Sequence, residues 1–181
     1  IIHMNVLERT RVIDLTGQVL AHCLTMQTTL LIQFALCPIV FFSLIWVTAP
    51  YGRHYKAGWG PNLRNRSAWI LMEIPALLVI TLLVLGSPAA KSLQAWVPLV
   101  FWVIHYSYRT ILFPVLMRPS NKTFPALLVR FAIVFNVLNG YNNATALIRN
   151  GVADSPLLTT HFIIGSFLFV FGFALHVHSD H

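Results

Sequence analysis

The chain has 181 residues, of which 57% are hydrophobic and only 9% are charged. Soluble globular domains carry roughly 25% charged residues, so this composition, with a mean hydropathy of +0.72, excludes an ordinary water-soluble domain. The formal charge of +7 comes from Lys and Arg that stand mostly between apolar runs, a distribution that indicates membrane orientation and argues against a nucleic-acid partner. We therefore predict an all-α, polytopic transmembrane helical bundle.

Residues 1–25 are predicted to form an interfacial segment ahead of the transmembrane domain, residues 26–181. Val12, Leu15 and Val19 recur at helical spacing beside Arg9 and Arg11, which is typical of an amphipathic helix lying on a membrane surface. A simple extension of the first span explains the pattern equally well. The opening residues lack the basic region and the cleavage site of a secretory signal, so we expect no cleavage.

Five apolar runs follow, each long enough to cross a hydrocarbon core of about 30 Å. They extend from Met26 to Ala49, Ser67 to Ser87, Leu93 to Met117, Phe124 to Ile148 and Pro156 to His176. The connectors between them contain the Pro, Gly and Asn residues that are typical of turns. The predicted architecture is therefore a bundle with five spans.

Alternate connectors differ in charge. The basic residues in and beside the first and third connectors are Arg53, Lys56, Arg64, Arg66, Arg109, Arg118, Lys122 and Arg130. The second and fourth connectors carry only Lys91, and Arg149 opposed by Asp154. Because basic loops stay in the cytoplasm, we expect the N-terminus outside and the C-terminus inside, in a bacterial inner membrane or, for a eukaryotic source, the endoplasmic reticulum.

Glu73 lies seven residues into the second span, where an ionised carboxylate is costly. We expect it to be paired, protonated or directed into an internal cavity. Ionisable groups inside a membrane are candidate functional sites by default. A carboxyl group that serves only helix packing is the alternative.

In the third span, His105, Tyr106 and Arg109 share one helical side through i, i+3 and i, i+4 spacing. Glu73 lies about 9 Å and Tyr106 about 17 Å from the cytoplasmic ends of their spans, so long side chains on neighbouring helices allow the two to meet. A Tyr hydroxyl beside a neutral carboxyl group polarises a carbonyl oxygen. The alternative for Tyr106 is a hydrogen-bonded core tyrosine.

Arginine and asparagine side chains in the third and fourth spans are candidates for cofactor binding. Arg109 and Arg130 either extend to the membrane surface or bind an anionic cofactor from the cytosol. Asn136 and Asn139 share a side of the fourth span, where hydrogen bonds between helices account for them equally well. We predict no metal site, because the sequence has no typical ligand spacing.

Several motifs, taken in order, resemble those of the membrane-bound steroid 5α-reductase (3-oxo-5α-steroid 4-dehydrogenase) family. They are Tyr51-Gly52-Arg53-His54, Trp69 to Pro75, His105 to Thr110, Phe135 to Tyr141 and His178-Ser179-Asp180. The resemblance runs from about residue 50 to residue 181, and the joint spacing makes it more specific than any single motif.

The resemblance implies a seven-helix, NADPH-dependent enzyme that reduces the 4-ene double bond of 3-oxo-steroids, with hydride passing to C5. It implies that Glu73 and Tyr106 hold and polarise the 3-keto oxygen and that Trp69 lines the pocket. The implied cofactor-binding residues are Arg109, Arg118, Arg130, Asn136, His176 and Asp180. The implied partners are a steroid-like lipid substrate and membrane lipid, with no obligate protein partner.

The chain departs from the family pattern at Met72, where Gln is common, and at His176, where Asn is usual. The family also continues with two further helices and a Gly-rich loop, so we expect part of the cofactor site of this bacterial-type homologue to lie beyond residue 181.

Other functions remain open. Related membrane reductases act on polyprenols and on enoyl thioesters. A non-catalytic protein such as a b-type cytochrome, with His105 and His161 as haem ligands, is a third possibility, and a membrane methyltransferase is a more remote one.

Overall fold

The computed structural model describes residues 6–51, 54–56, 58–118, 122–153 and 156–180, with the backbone alone described for residues 6–23. Its elements in chain order are α1 (Val6–Trp46), β1 (Asn62–Arg64), α2 (Asn65–Leu85), α3 (Leu93–Ser107), α4 (Phe113–Leu116), β2 (Thr123–Pro125), α5 (Ala126–Val152) and α6 (Thr160–Ser179). A 3-10 turn, Pro88–Lys91, precedes α3, and a π-helical turn, Tyr108–Leu112, joins α3 to α4.

A long helix coincides with each predicted span, and the all-α membrane bundle is confirmed. Within the described ranges, four helical segments are long and apolar enough to cross a membrane: Leu24–Trp46, Asn65–Leu85, Leu93–Leu116 and Thr160–Ser179. The fifth helix, α5, has 27 residues and is also long enough. Its Asn and Arg side chains make it the most polar of the long helices, so it is not one of the four segments.

The contacts divide the chain into two units, residues 1–43 and residues 44–181. In the first unit, α1 is one continuous helix from Val6, with no break near residue 25. The segment predicted to lie at the interface and the first predicted span are therefore parts of the same helix. The predicted boundary between residues 25 and 26, and the position of this segment in a bilayer, stay predictions.

In the second unit, α2 and α5 form the most closely packed pair of helices, and a glycine allows their close approach. A Cβ atom placed on Gly140 would lie 3.1 Å from Cβ of Val79 and 3.6 Å from the carbonyl oxygen of Ala76. Small residues permit such approach between membrane helices, where van der Waals packing and hydrogen bonds hold helices together. The adjoining core consists of Ile80, Val84, Ala89, Ala95, Leu99 and Ala144.

Side-chain caps define where α3 and α6 begin. The Ser92 hydroxyl accepts a hydrogen bond from the amide of Gln94 at 3.2 Å, and the Thr159 hydroxyl accepts one from the amide of Phe162 at 3.2 Å. Each cap satisfies a backbone donor that has no partner within its own helix. The start of α5 is held differently, because the carbonyl oxygen of Pro61 accepts from the Ala126 amide at 2.9 Å.

A short antiparallel ladder joins the first and third connectors. Strand β1 pairs with β2 in the register Asn62 to Pro125, Leu63 to Phe124 and Arg64 to Thr123. The ladder places these two basic connectors at one end of the bundle, on the same side of the protein, as the charge pattern predicts. The side of the membrane that this end faces stays a prediction.

Candidate active site

The site begins with an irregular turn in the third span. The amide of Phe113 donates to the carbonyl oxygen of Tyr108, which is the i to i+5 pattern of a π-helical turn. The next residue is Pro114, which has no amide hydrogen to continue an α-helical ladder. Turns of this kind are common at functional sites, and this one carries Tyr108, Arg109 and Thr110.

Glu73 is paired, as one of the sequence expectations requires. The Nε atom of Arg109 donates to Oε1 of Glu73 at 3.2 Å, and a terminal guanidinium nitrogen donates to the same oxygen. The two side chains are 20% and 12% exposed, so both charges are largely removed from solvent. The pair links α2 to the π-helical turn and compensates a carboxylate that would otherwise be costly inside the membrane.

Aromatic rings surround the guanidinium group of Arg109. Its central carbon lies 4.5 Å from the ring centroid of Trp69 and 5.9 Å from that of Phe113, within the range of cation–π attraction. Two buried polar atoms, Nε1 of Trp69 and Oγ1 of Thr110, the residue after Arg109, have no hydrogen-bond partner in the described part of the chain. Buried polar atoms usually have partners, so these two are exceptions.

The end of α6 joins the same cluster. The Tyr108 hydroxyl donates to Oδ2 of Asp180 at 3.2 Å, and Nε2 of His176 lies 3.5 Å from the same oxygen. A terminal nitrogen of Arg109 lies 3.5 Å from Nε2 of His176. Glu73, Arg109, His176, Asp180 and Tyr108 therefore form one continuous polar network, which we call the Arg109 network.

Tyr106 lies beside this network and faces a cavity of about 520 Å³ between α3, α5 and α6. The cavity is lined by Pro98, Phe101, Trp102, His105, Tyr106, Asn139, Leu168, Phe169, Gly172 and Phe173. Most of this lining is aromatic or aliphatic. Its polar groups are the side chains of Tyr106, His105 and Asn139, so the cavity suits a ligand with a large apolar body and few polar atoms.

The position of Tyr106 is fixed from two sides. Its ring stacks on Trp102 with centroids 4.7 Å apart, and Nε1 of Trp102 donates to the carbonyl oxygen of Ala76 in α2 at 2.9 Å. The side-chain amide of Asn139 lies 3.4 Å from the Tyr106 hydroxyl oxygen, which is a long contact. The hydroxyl group is therefore well positioned but weakly engaged, and it can donate to a ligand oxygen.

Asn136 connects two helices. Its amide nitrogen donates to the carbonyl oxygen of Met72 at 2.5 Å, and its side chain is buried. This contact fixes α5 against the residue next to Glu73, which matches the alternative of a hydrogen bond between helices. A cofactor contact of Asn136 stays a prediction.

Arg118 and Arg130 are exposed and are not members of the Arg109 network. They lie close in the chain to the β1–β2 ladder, at the basic end of the bundle. Arg66, at the same end, donates to the carbonyl oxygen of Met117 at 2.7 Å. Arg53, part of the first resemblance motif, falls outside the described residues.

The histidines considered as haem ligands are far apart. His105 packs against His176 with ring centroids 5.5 Å apart, whereas His161 is exposed near the start of α6. His176 lies fifteen positions after His161 in the same helix, which corresponds to about 22 Å along the axis. His105 and His161 are thus too distant to bind one haem. The described ranges also contain no group of three or more His, Cys, Asp or Glu that converges as a metal site.

Sequence reasoning missed Tyr108 and Phe113 as members of the site. Tyr108 is 6% exposed. Its place in the sequence motif does not indicate a hydrogen bond to Asp180. The π-helical turn rotates the residues after Ser107 relative to a regular helix, and helical spacing alone does not reveal this. The only available signal was Pro114, which disturbs a helix at the preceding turn.

The chain has relatives among characterised proteins, although no protein-family model matches it. It is 33% identical over 155 residues to 3-oxo-5-alpha-steroid 4-dehydrogenase 1 of Bos taurus, a match that covers 83% of this chain and 60% of that protein. It is 36% identical over 147 residues to steroid 5-alpha-reductase DET2 of Arabidopsis thaliana, covering 76% of this chain and 55% of that protein.

The 3-oxo-5-alpha-steroid 4-dehydrogenase 1 of Homo sapiens is 31% identical over 154 residues, with 83% of this chain and 59% of that protein covered. The chain thus spans somewhat more than half the length of the relatives it matches. These matches extend over most of the chain and name the same family as the ordered motifs from Tyr51 to Asp180. Over the segment that they cover, the chain belongs to the steroid 5α-reductase family.

Proposed function

We propose that the protein reduces the 4-ene double bond of 3-oxo-steroids with NADPH as the reductant. The observation that carries this proposal is the apolar cavity with the weakly engaged Tyr106 hydroxyl on its wall, beside the Arg109 network. The names of the relatives, which are steroid reductases, support the same substrate class.

The cavity suits a rigid, largely apolar substrate. Its volume of about 520 Å³ lies in the range of small-molecule sites, which are mostly apolar with a few placed polar groups. Phe101 and Phe169 stack with centroids 4.9 Å apart at its wall, and flat rings of this kind pack well against a flat ring system. A 3-keto oxygen would then be directed to Tyr106.

Tyr106 and Glu73 are proposed as the catalytic pair that polarises the 3-keto oxygen. We assign the direct hydrogen bond to the Tyr106 hydroxyl, because negative charge develops on the keto oxygen when C5 receives a hydride. Glu73 provides the second contact only as a protonated carboxyl group. In the structure, Glu73 accepts a hydrogen bond from Arg109. A contact between Glu73 and the 3-keto oxygen therefore requires this ion pair to open.

The residues around Arg109 fit an anionic dinucleotide. When bound, NADPH supplies the hydride. Arg109, with Arg118 and Arg130 at the basic end, offers positive charge to phosphate groups, and the unpartnered Nε1 of Trp69 offers a donor. The carboxylate of Asp180 suits ribose hydroxyls.

Asn136 and His176 complete the proposed cofactor residues. Both lie next to charged members of the site, because Asn136 contacts the residue before Glu73 and His176 lies between Arg109 and Asp180. NADPH is a cytosolic cofactor, so this assignment predicts that the end of α6 is on the cytoplasmic side and the N-terminus outside. The proposed membrane is an inner membrane or the endoplasmic reticulum.

The proposal is tested with full-length protein in detergent, by following NADPH oxidation after addition of a 4-ene-3-oxo-steroid, a polyprenol or an enoyl-CoA. We expect NADPH oxidation with the steroid and not with the polyprenol or the enoyl-CoA. Tyr106→Phe, which keeps the ring stacked on Trp102, should lower kcat at least tenfold. Tyr55→Phe is the matched control, since Tyr55 is exposed in the first connector.

Two outcomes contradict the assignment. NADPH oxidation with the polyprenol or the thioester, but not with the steroid, would show that the substrate assignment is wrong and would leave the proposed architecture unchanged. Equal turnover of Tyr106→Phe and Tyr55→Phe would remove Tyr106 from the catalytic pair.

A further inference from the structure

Two histidines lie between the end of α6 and the cavity. His176 contacts Asp180, which is near the end of the helix, and His105 lines the cavity next to Tyr106. Neither imidazole is needed to polarise the substrate. Enone reduction nevertheless consumes a proton as well as a hydride, and the polarising pair alone does not deliver a proton to carbon.

His176 has a partner for either protonation state of Nε2. When the imidazole is protonated, Nε2 forms an ion pair with Oδ2 of Asp180, 3.5 Å away. When Nε2 is unprotonated, it can accept from the terminal nitrogen of Arg109, also 3.5 Å away. Nε2 therefore has a polar neighbour in either protonation state. A buried polar group without such a neighbour would be costly.

His105 extends the series into the cavity. The ring centroids of His105 and His176 are 5.5 Å apart with the planes tilted by 34°, so the two imidazole rings are in contact. On its other side, His105 contacts the Tyr106 ring at 5.1 Å. His105 is thus in contact with both His176 and the proposed substrate site.

We propose that Asp180, His176 and His105 form a proton relay from the end of α6 to the cavity, and that His105 donates the proton taken up by the reduced substrate. The inference rests on the proposed function. The titratable and charged groups around the two imidazoles are Arg109 and Tyr108 of the π-helical turn, Tyr106 of α3, and Asp180 of α6.

The step balances in atoms and electrons. C5 receives a hydride, with its electron pair, from the reduced nicotinamide, and the π electrons of the C4–C5 bond move to form the enolate of the 3-keto group. C4 then forms a bond to the proton of the His105 imidazolium, and the enolate becomes the ketone. His105 regains a proton from His176, which regains one from water by way of Asp180.

The first test does not depend on activity. Nitrogen-15 NMR of histidine-labelled, full-length protein in detergent is recorded across a range of pH. We expect His176→Asn to shift the titration of His105, because the two imidazoles are in contact. His161→Gln changes an exposed histidine of the same helix and should leave it unchanged. Independent titration of His105 in the wild type and in His176→Asn would overturn the relay.

The second test is kinetic. With NADPH and a 4-ene-3-oxo-steroid, His105→Gln should lower kcat about tenfold and change KM less than twofold, because proton delivery affects the transition state and not binding. Added imidazole should restore kcat at least threefold in His105→Gln and not in Tyr106→Phe, a rescue that a merely structural role would not produce.

Turnover of His105→Gln within twofold of the wild type, with the same pH profile, would overturn the relay. Absence of steroid reduction by the wild type would instead contradict the proposed function. In that event the NMR titration decides the relay, so the two failures remain distinguishable.

Discussion

The helices α5 and α6 show how little hydropathy reveals about position in a membrane bundle. The segment Thr160–Ser179 is clearly apolar, with a mean hydropathy of 1.8, yet α6 has no buried residue. The polar helix α5 packs closely against α2 and buries Asn136, Asn142 and Thr145. Lipid is as apolar as Leu, so close packing and hydrogen bonds, and not hydropathy, decide which helices lie at the centre of the bundle.

The same contrast separates the two sides of the site. Glu73 is part of the well-packed α2, and Trp102 is hydrogen-bonded to it, whereas His176 lies in the exposed α6 and Asp180 directly follows that helix. We therefore expect substitutions on the α2–α5 side to lower stability strongly. Substitutions on the α6 side should mainly change binding and turnover.

The largest expected effect on stability comes from Arg109→Met. It leaves the carboxylate of Glu73 without its partner, and loss of one member of a largely buried pair costs about 3 kcal/mol. The double variant Glu73→Gln with Arg109→Met should recover much of this loss. Reversible unfolding in mixed micelles measures the free energy, and Arg130→Met, at an exposed position, is the control. If Arg109→Met were as stable as Arg130→Met, the ion pair would not contribute to stability as proposed.

A smaller loss is expected when α2 and α5 are forced apart. Gly140→Val introduces side-chain atoms where Cβ alone already lies 3.1 Å from Val79, and overpacking of this kind costs about 2 kcal/mol. Gly165→Val makes the same change in α6, where an added Cβ has no heavy atom within 4 Å. The comparison uses thermal unfolding of both variants. Equal shifts in Tm would refute the difference between the two regions.

The smallest expected effects come from single hydrogen bonds. Trp102→Phe keeps an aromatic ring, smaller than the indole, and loses the donor to the Ala76 carbonyl, which should cost about 1 kcal/mol. Tyr108→Phe loses the donor to Asp180 on the α6 side and should cost about 0.5 kcal/mol, at the lower limit for such bonds. A larger loss for Tyr108→Phe than for Trp102→Phe would reverse the proposed order.

Much of the fold follows from the sequence because span length and charge bias are strong physical signals. The five long helices and the shared side of the two basic connectors are of this kind. The β1–β2 ladder was not predicted, since strands of three residues leave almost no pattern. The continuity of α1 through residue 25 also required the structure, because an interfacial helix and an extended span have the same periodicity.

The candidate site was only partly predictable. The need to compensate a charge inside the membrane indicated that Glu73 has a partner, and the helical spacing placed Arg109 and Tyr106 in one span. That the partner is Arg109 depends on the π-helical turn, which spacing does not show. The place of Tyr108 and His176 in the network depends on the packing of α6, which its uniform apolar sequence does not specify.

The central proposal is that the protein reduces a steroid enone in the cavity beside Tyr106. The most direct measurement is mass spectrometry of the product that the full-length protein forms from a 4-ene-3-oxo-steroid and NADPH deuterated at C4 of the nicotinamide. We predict a saturated 3-oxo-steroid with one deuterium at C5, formed at least tenfold more slowly by Tyr106→Phe. Recovery of unlabelled, unreduced steroid from the wild type would contradict the account.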